Sequence, residues 1–259
     1  MGATSDRAFF GVAALLFAAS AAATIAWCAS MSAMGMTMPG DWTMSMAWMR
    51  MPDRTWPRAA ASFLGMWIVM MVAMMLPSLV PMLSRYRDAV RTTGETRLGW
   101  LTAYCGAGYF LVWSALGLAA FPIGAALAAL EMEQPALARA VPLLAGAVVL
   151  IAGALQFTAW KAHYLACCRE APDGGALLAD ARTAWRHGLR LGLHCAYCCG
   201  GLMAVLLVIG VMDLRAMAVV TAAITVERLA PAGERVARAV GIVVVGAGVL
   251  LIVRAVGLG

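Results

Sequence analysis

Charge is scarce in this 259-residue chain. Asp, Glu, Lys and Arg together make up 12% of it, against about 25% in an average soluble domain. With 63% hydrophobic residues and a mean hydropathy of +0.85, that shortage excludes an ordinary soluble protein and points to a polytopic helix bundle in a membrane. Histidine is scarcer still, with three in all, too few in the apolar segments for a haem site. There is no glycine-rich phosphate loop and no Ser/His/Asp pattern. There is also no repeat of solenoid period. A primary ATP-driven pump, a hydrolase and a repeat protein all lose their usual signatures. The net charge of +6 implies no nucleic-acid partner, because basic residues in a membrane protein mainly set its orientation.

What the chain has instead is long apolar runs. A spanning helix needs about 20 apolar residues. Candidates run over about 8–30, 60–83, 100–127 and 141–160, and from 239 to 256. The first follows Arg7 and could be taken for a cleaved signal peptide, but its apolar run exceeds a typical h-region, so it reads as a membrane helix. From Leu193 to Pro231 the chain is apolar except at Asp213, Arg215, Glu227 and Arg228. At 1.5 Å per residue one straight helix of that length overshoots a bilayer. The segment divides at Met212–Arg215 into a fifth helix and a short sixth, for about seven spans. A single kinked helix is the alternative, with six. The expected fold is therefore all-α, a single membrane domain over 1–259.

Two connections differ from the rest. Residues 30–59 carry Met31, Met34, Met36, Met38, Met44, Met46, Met49 and Met51 with Pro39, Gly40, Pro52 and Pro57, and read as an irregular methionine-rich loop. Residues 161–192 are polar and read as a second loop. With the N-terminus inside, most basic residues fall on inner segments, among them Arg85, Arg87, Arg91, Arg97, Arg182, Arg186 and Arg190. Arg50, Arg54, Arg58, Arg139, Arg215 and Arg254 fall outside. That bias makes the methionine loop extracytoplasmic and the polar loop cytoplasmic. Thioethers survive an oxidising compartment and thiolates a reducing one, so the division suits a soft metal.

The most distinctive stretch is His194-Cys195-Ala196-Tyr197-Cys198-Cys199. On a helix His194 shares a face with Cys198, and Cys195 with Cys199. Upstream, His163, Cys167 and Cys168 form a second cluster beside Lys161 and Arg169. Thiolate and imidazole at such spacing suit Cu(I), with Zn(II) as the alternative. The competing readings are buried cysteine as a small hydrophobe, an interfacial His163, and a redox dithiol at Cys195 and Cys198. In the second helix Met70 and Met74, with Met66 one turn earlier, form one row, and Met71 and Met75 a neighbouring one. They are either core filler or a relay for Cu(I), with Pro77 and Pro81 loosening the end of the helix. Asp213 reads as a turn residue, Glu227 as a surface partner of Arg228, and His187 as a solvated loop residue. Cys28 and Cys105 read as packing residues.

The segments Trp67–Pro77, Lys161–Arg169, Gly188–Cys199 and Gly210–Asp213 with Glu227 near Pro231 together resemble a bacterial family of predicted metal-binding integral membrane proteins of uncharacterised function. The resemblance spans about 63–231. It implies a multi-helix protein of the bacterial inner membrane with a metal site tied to copper handling. The family pattern has cysteine where this chain has Tyr164, while Cys168 matches its second cysteine, so His163 or Cys167 takes the missing role or the site is altered.

Three functions stay open. One is Cu(I) transport across the membrane. The second is a metallochaperone or assembly factor serving a copper enzyme or another copper chaperone, as a monomer or a homo-oligomer. The third, the only enzymatic reading, is a thiol–disulfide oxidoreductase.

Overall fold

The computed structural model describes residues 2–32, 36–38, 42–44, 48–49, 55–91, 97–169 and 180–257. Eight helices dominate: α1 (Gly2–Ser32), α2 (Trp56–Arg91), α3 (Leu98–Glu133), α4 (Pro135–Leu155), α5 (Ala159–Arg169), α6 (Ala181–Ile209), α7 (Leu214–Leu229) and α8 (Gly233–Ala255). Six of them, all but α5 and α7, are long and apolar enough to cross a membrane, as a multi-pass membrane protein requires. The expected break before a short helix falls at Gly210, whose φ of 138° lies in a region L side chains rarely adopt. Asp213 then caps α7, accepting from the backbone N–H groups of Arg215 and Ala216, a standard N-cap role.

The methionine-rich segment differs from the expected loop. It holds a short antiparallel hairpin, β1 (Met36–Met38) and β2 (Trp42–Met44), with Met36 opposite Met44 and Met38 opposite Trp42. Met38 is buried, and the Trp42 indole donates to the Ala138 carbonyl. Met34, Met46, Met51, Pro39, Gly40, Pro52, Arg50 and Arg54 lie outside the described residues. The expected polar loop is also shorter than its composition implies. Residues 159–169 form α5, and α6 already begins at Ala181, with Asp180 as its cap. Their polar faces belong to helices at one end of the bundle. His187 is thus helical and half-buried, stacked on Tyr86 at 5.5 Å.

Helix α2 is the most buried of the six long helices and runs unbroken through Pro77 and Pro81. α1 packs antiparallel to it: Arg87 and Arg91 reach Asp6 near the start of α1. Helices α3 and α6 run parallel in close contact through glycine. A Cβ on Gly108 would meet the Trp185 carbonyl at 2.7 Å, and one on Gly192 the Tyr109 carbonyl at 2.9 Å. One on Gly188 would fall well inside contact distance of the Cys105 carbonyl. Small residues permit such backbone approach in membrane helices. Gly188→Val is expected to destabilise the protein by about 1–3 kcal/mol or more, the usual range for overpacking. Gly200→Ala, whose added Cβ meets nothing within 4 Å, is expected to be near neutral. Thermal unfolding in detergent checks both.

Candidate metal centre

The α3–α6 contact sets where the α6 cysteines stand. Cys195, Cys198 and Cys199 are spaced i, i+3, i+4, so the 3.6-residue period places them on one face. That face also carries Gly188, Leu191, Gly192 and Leu202, all buried, while Leu193, Tyr197 and Gly200 are exposed. All three cysteines are therefore in the core, and α5 adds Cys168, also buried.

The four sulfurs adjoin in series. Cys168 lies 3.8 Å from Cys198, Cys198 lies 3.4 Å from Cys199, and Cys199 lies 3.8 Å from Cys195. Among the described residues, no three His, Cys, Asp or Glu side chains are already grouped to hold one metal ion. The arrangement is a string of sulfur pairs rather than a closed shell. Pairs suit Cu(I), which accepts two soft ligands, better than Zn(II), which takes four. The hydrogen bond with Cys198, followed by burial, holds the Cys168 thiol well above its ordinary range.

Other helices close round the string. The Tyr109 hydroxyl of α3 is 3.0 Å from the Cys195 sulfur. From α7, the Arg228 guanidinium donates to the same sulfur at 3.2 Å, to the Ser78 hydroxyl at 2.9 Å and to the Met82 thioether at 3.0 Å. Lys161, the only lysine of the chain, donates at 2.6 Å both to the Cys198 carbonyl and to Glu227. Both partners of this ion pair are buried. Glu227 thus pairs across helices and not with Arg228 at the surface.

Met66, Met70, Met71, Met74 and Met75 of α2 are all buried in the main core. The row at four-residue spacing continues from Met66, Met70 and Met74 to Ser78 and Met82, the two α2 residues that Arg228 holds. It ends at the Arg228 guanidinium, which links it to Cys195.

The histidines stand elsewhere. His163 is exposed, with Nε2 3.7 Å from the half-buried Cys167 sulfur. His194 lies against the Tyr164 ring, centroids 5.8 Å apart, and Tyr164 packs in turn on Tyr197 and Trp160. So of the residues expected to act together, the structure joins Cys168, Cys195, Cys198 and Cys199, and sets His163 with Cys167 apart at the edge. Cys167 and Cys168, adjacent in sequence, bridge the two settings. The residues not anticipated were Tyr109 and Arg228 as partners of Cys195, and Ser78 and Met82 as partners of Arg228. For Ser78 and Met82 the signal was present, since they extend the methionine row by two turns.

A sequence model of the family described as "PpoB2: Copper chaperone" matches residues 64–251. The chain belongs to the PpoB2 copper chaperone family. The match runs from α2 into α8 and takes in every residue of the sulfur string, the methionine row, Lys161, Glu227 and Arg228. It agrees with the copper-linked family expected from the motifs. No curated protein and no solved structure matches the chain. Membership in the PpoB2 family places the protein in copper handling, which favours copper over zinc as the metal to consider at these sulfurs.

Proposed function

We propose that this protein is an integral membrane copper chaperone. It takes Cu(I) onto buried sulfur and passes it to a copper enzyme or another copper carrier. The observation that carries the reading is the buried series of four cysteine sulfurs, inside the segment matched by a copper chaperone family. Copper is the cargo here. Thiolate selects Cu(I) by softness, and burial shields it from oxidation and from competing ligands.

The positive-inside bias puts the end that gathers Arg85, Arg87, Arg91 and Arg169 on the cytoplasmic side of a cell membrane, with the N-terminus inside. Copper then enters along Met66, Met70 and Met74, rests at Cys195 and Cys199, and leaves through Cys198 and Cys168 to Cys167 and His163 at the edge. The same row favours one alternative, net transport, because thioethers and thiols in line form a conduit as readily as a store.

The two readings separate in proteoliposomes. Chaperoning predicts that copper-loaded protein transfers its ion to an apo copper protein, while flux into vesicles stays at that of empty ones. Met70→Leu with Met74→Leu is expected to slow loading several-fold and leave the final copper content unchanged. Copper uptake above the empty-vesicle rate, lost in the same variant, would establish the conduit instead. Thiols that cycle with a quinone or a dithiol protein while no copper copurifies would leave the oxidoreductase.

A further inference from the structure

Lys161, Glu227 and Arg228 are all buried within the same helix junction, at 4%, 1% and 2% exposure. Lys161 and Glu227 cancel each other. Among the described residues no carboxylate lies within ion-pair distance of Arg228. Its partners are a hydroxyl, a thioether and the Cys195 sulfur, and its Nε has no hydrogen-bond partner. The junction therefore holds one uncompensated positive charge. A buried guanidinium without a counter-charge carries a large desolvation cost. The one group in contact with it that can supply an anion is sulfur.

Copper chemistry supplies the matching charge. A Cu(I) ion bound by two thiolates has a net charge of minus one. Three thiolates would carry minus two, and a thiolate with a thioether would carry none. We propose that Arg228 is the built-in counter-ion of a two-thiolate Cu(I) complex formed by Cys195 and Cys199, the pair 3.8 Å apart that begins at the sulfur Arg228 touches. The proposal rests on the chaperone reading above and specifies its site. Arg228 does not itself bind the ion. It selects how many thiolates the site can hold, and its fork ties that choice to α2 through Ser78 and Met82. A cation beside a cation site would otherwise be unfavourable; beside an anionic metal–thiolate complex it is stabilising.

Cu(I) affinity of the purified full-length protein, measured by competition with a colourless-to-coloured Cu(I) chelator, tests this. Arg228→Gln, which keeps hydrogen bonding and removes charge, is expected to weaken binding at least tenfold. Arg228→Lys, which restores the charge, is expected to recover most of that loss. Unchanged affinity in Arg228→Gln, or failure of lysine to rescue a folded glutamine variant, overturns the proposal. Should Arg228→Gln not fold, single Cys→Ser variants of the four string cysteines decide. Loss confined to Cys195 and Cys199 supports the two-thiolate complex, while loss at three or four positions breaks the charge balance and ends it. If wild type binds no Cu(I), or the four-serine variant binds as wild type does, the chaperone site itself fails. Cysteine-dependent binding that ignores residue 228 removes only the role of Arg228.

Discussion

Replacing Cys198 and Cys199 together by serine is expected to abolish Cu(I) retention, taking the purified protein from near one ion per chain to none that survives a chelator wash. The reason is connectivity. The sulfurs run Cys168, Cys198, Cys199, Cys195, each touching the next at 3.4–3.8 Å. Removing the two inner members leaves Cys168 and Cys195 without a sulfur neighbour on the string. A lone thiolate cannot hold Cu(I) against a bidentate chelator. Serine is nearly isosteric, and its harder oxygen is a poor ligand for a soft cation, so the fold is expected to persist while the site is lost. Cys105→Ser supplies the control. Cys105 is equally buried in the same core but stands against Gly188, outside the string, and copper content is expected to remain at the wild-type level. Retention of copper by the double serine variant would move the site away from these cysteines altogether.

Much of this centre is legible in the sequence because helical periodicity is a local property. The i, i+3, i+4 spacing of Cys195, Cys198 and Cys199 and the four-residue spacing of Met66, Met70 and Met74 define faces before any partner is known. The break ahead of α7 is legible too, since a helix from Leu193 to Pro231 is too long for a bilayer and has Asp213 to restart it. Contacts between helices are another matter. Glu227 and Arg228 look like neighbours that could pair, yet successive residues project about 100° apart around a helix. Glu227 therefore meets Lys161 of α5, and Arg228 meets α2 and α6. Nothing local says which helices stand on either side of α7. His194 shows the same limit. Periodicity puts it on the Cys198 side, but the aromatic group of Tyr164, Tyr197 and Trp160 supplies the ring it packs against. Residues 161–169 read as loop because a short helix at the end of a bundle carries polar residues on the face it turns away from the core.

The Lys161–Glu227 pair carries the largest expected effect on folding. Lys161→Met leaves the Glu227 carboxylate 1% exposed with no cation, and Glu227→Leu leaves the lysine in the same position. Removing one partner of a buried pair costs about 3–5 kcal/mol, whereas replacing both by apolar residues is often neutral or better. Each single variant is thus expected to unfold well below the wild type in a detergent melt, and Lys161→Met with Glu227→Leu to regain most of the difference. The coupling measured by that double-mutant cycle isolates the pair from the packing of either chain. Lys161 also donates to the Cys198 carbonyl, so the double variant would be stable yet lack the tie between α5 and the string. Its charge balance at Arg228 is unchanged, because the removed charges cancel, so copper affinity is expected to hold near the wild-type value while release through Cys168 changes. Single variants as stable as wild type would show that Lys161 and Glu227 are not buried together as an ion pair.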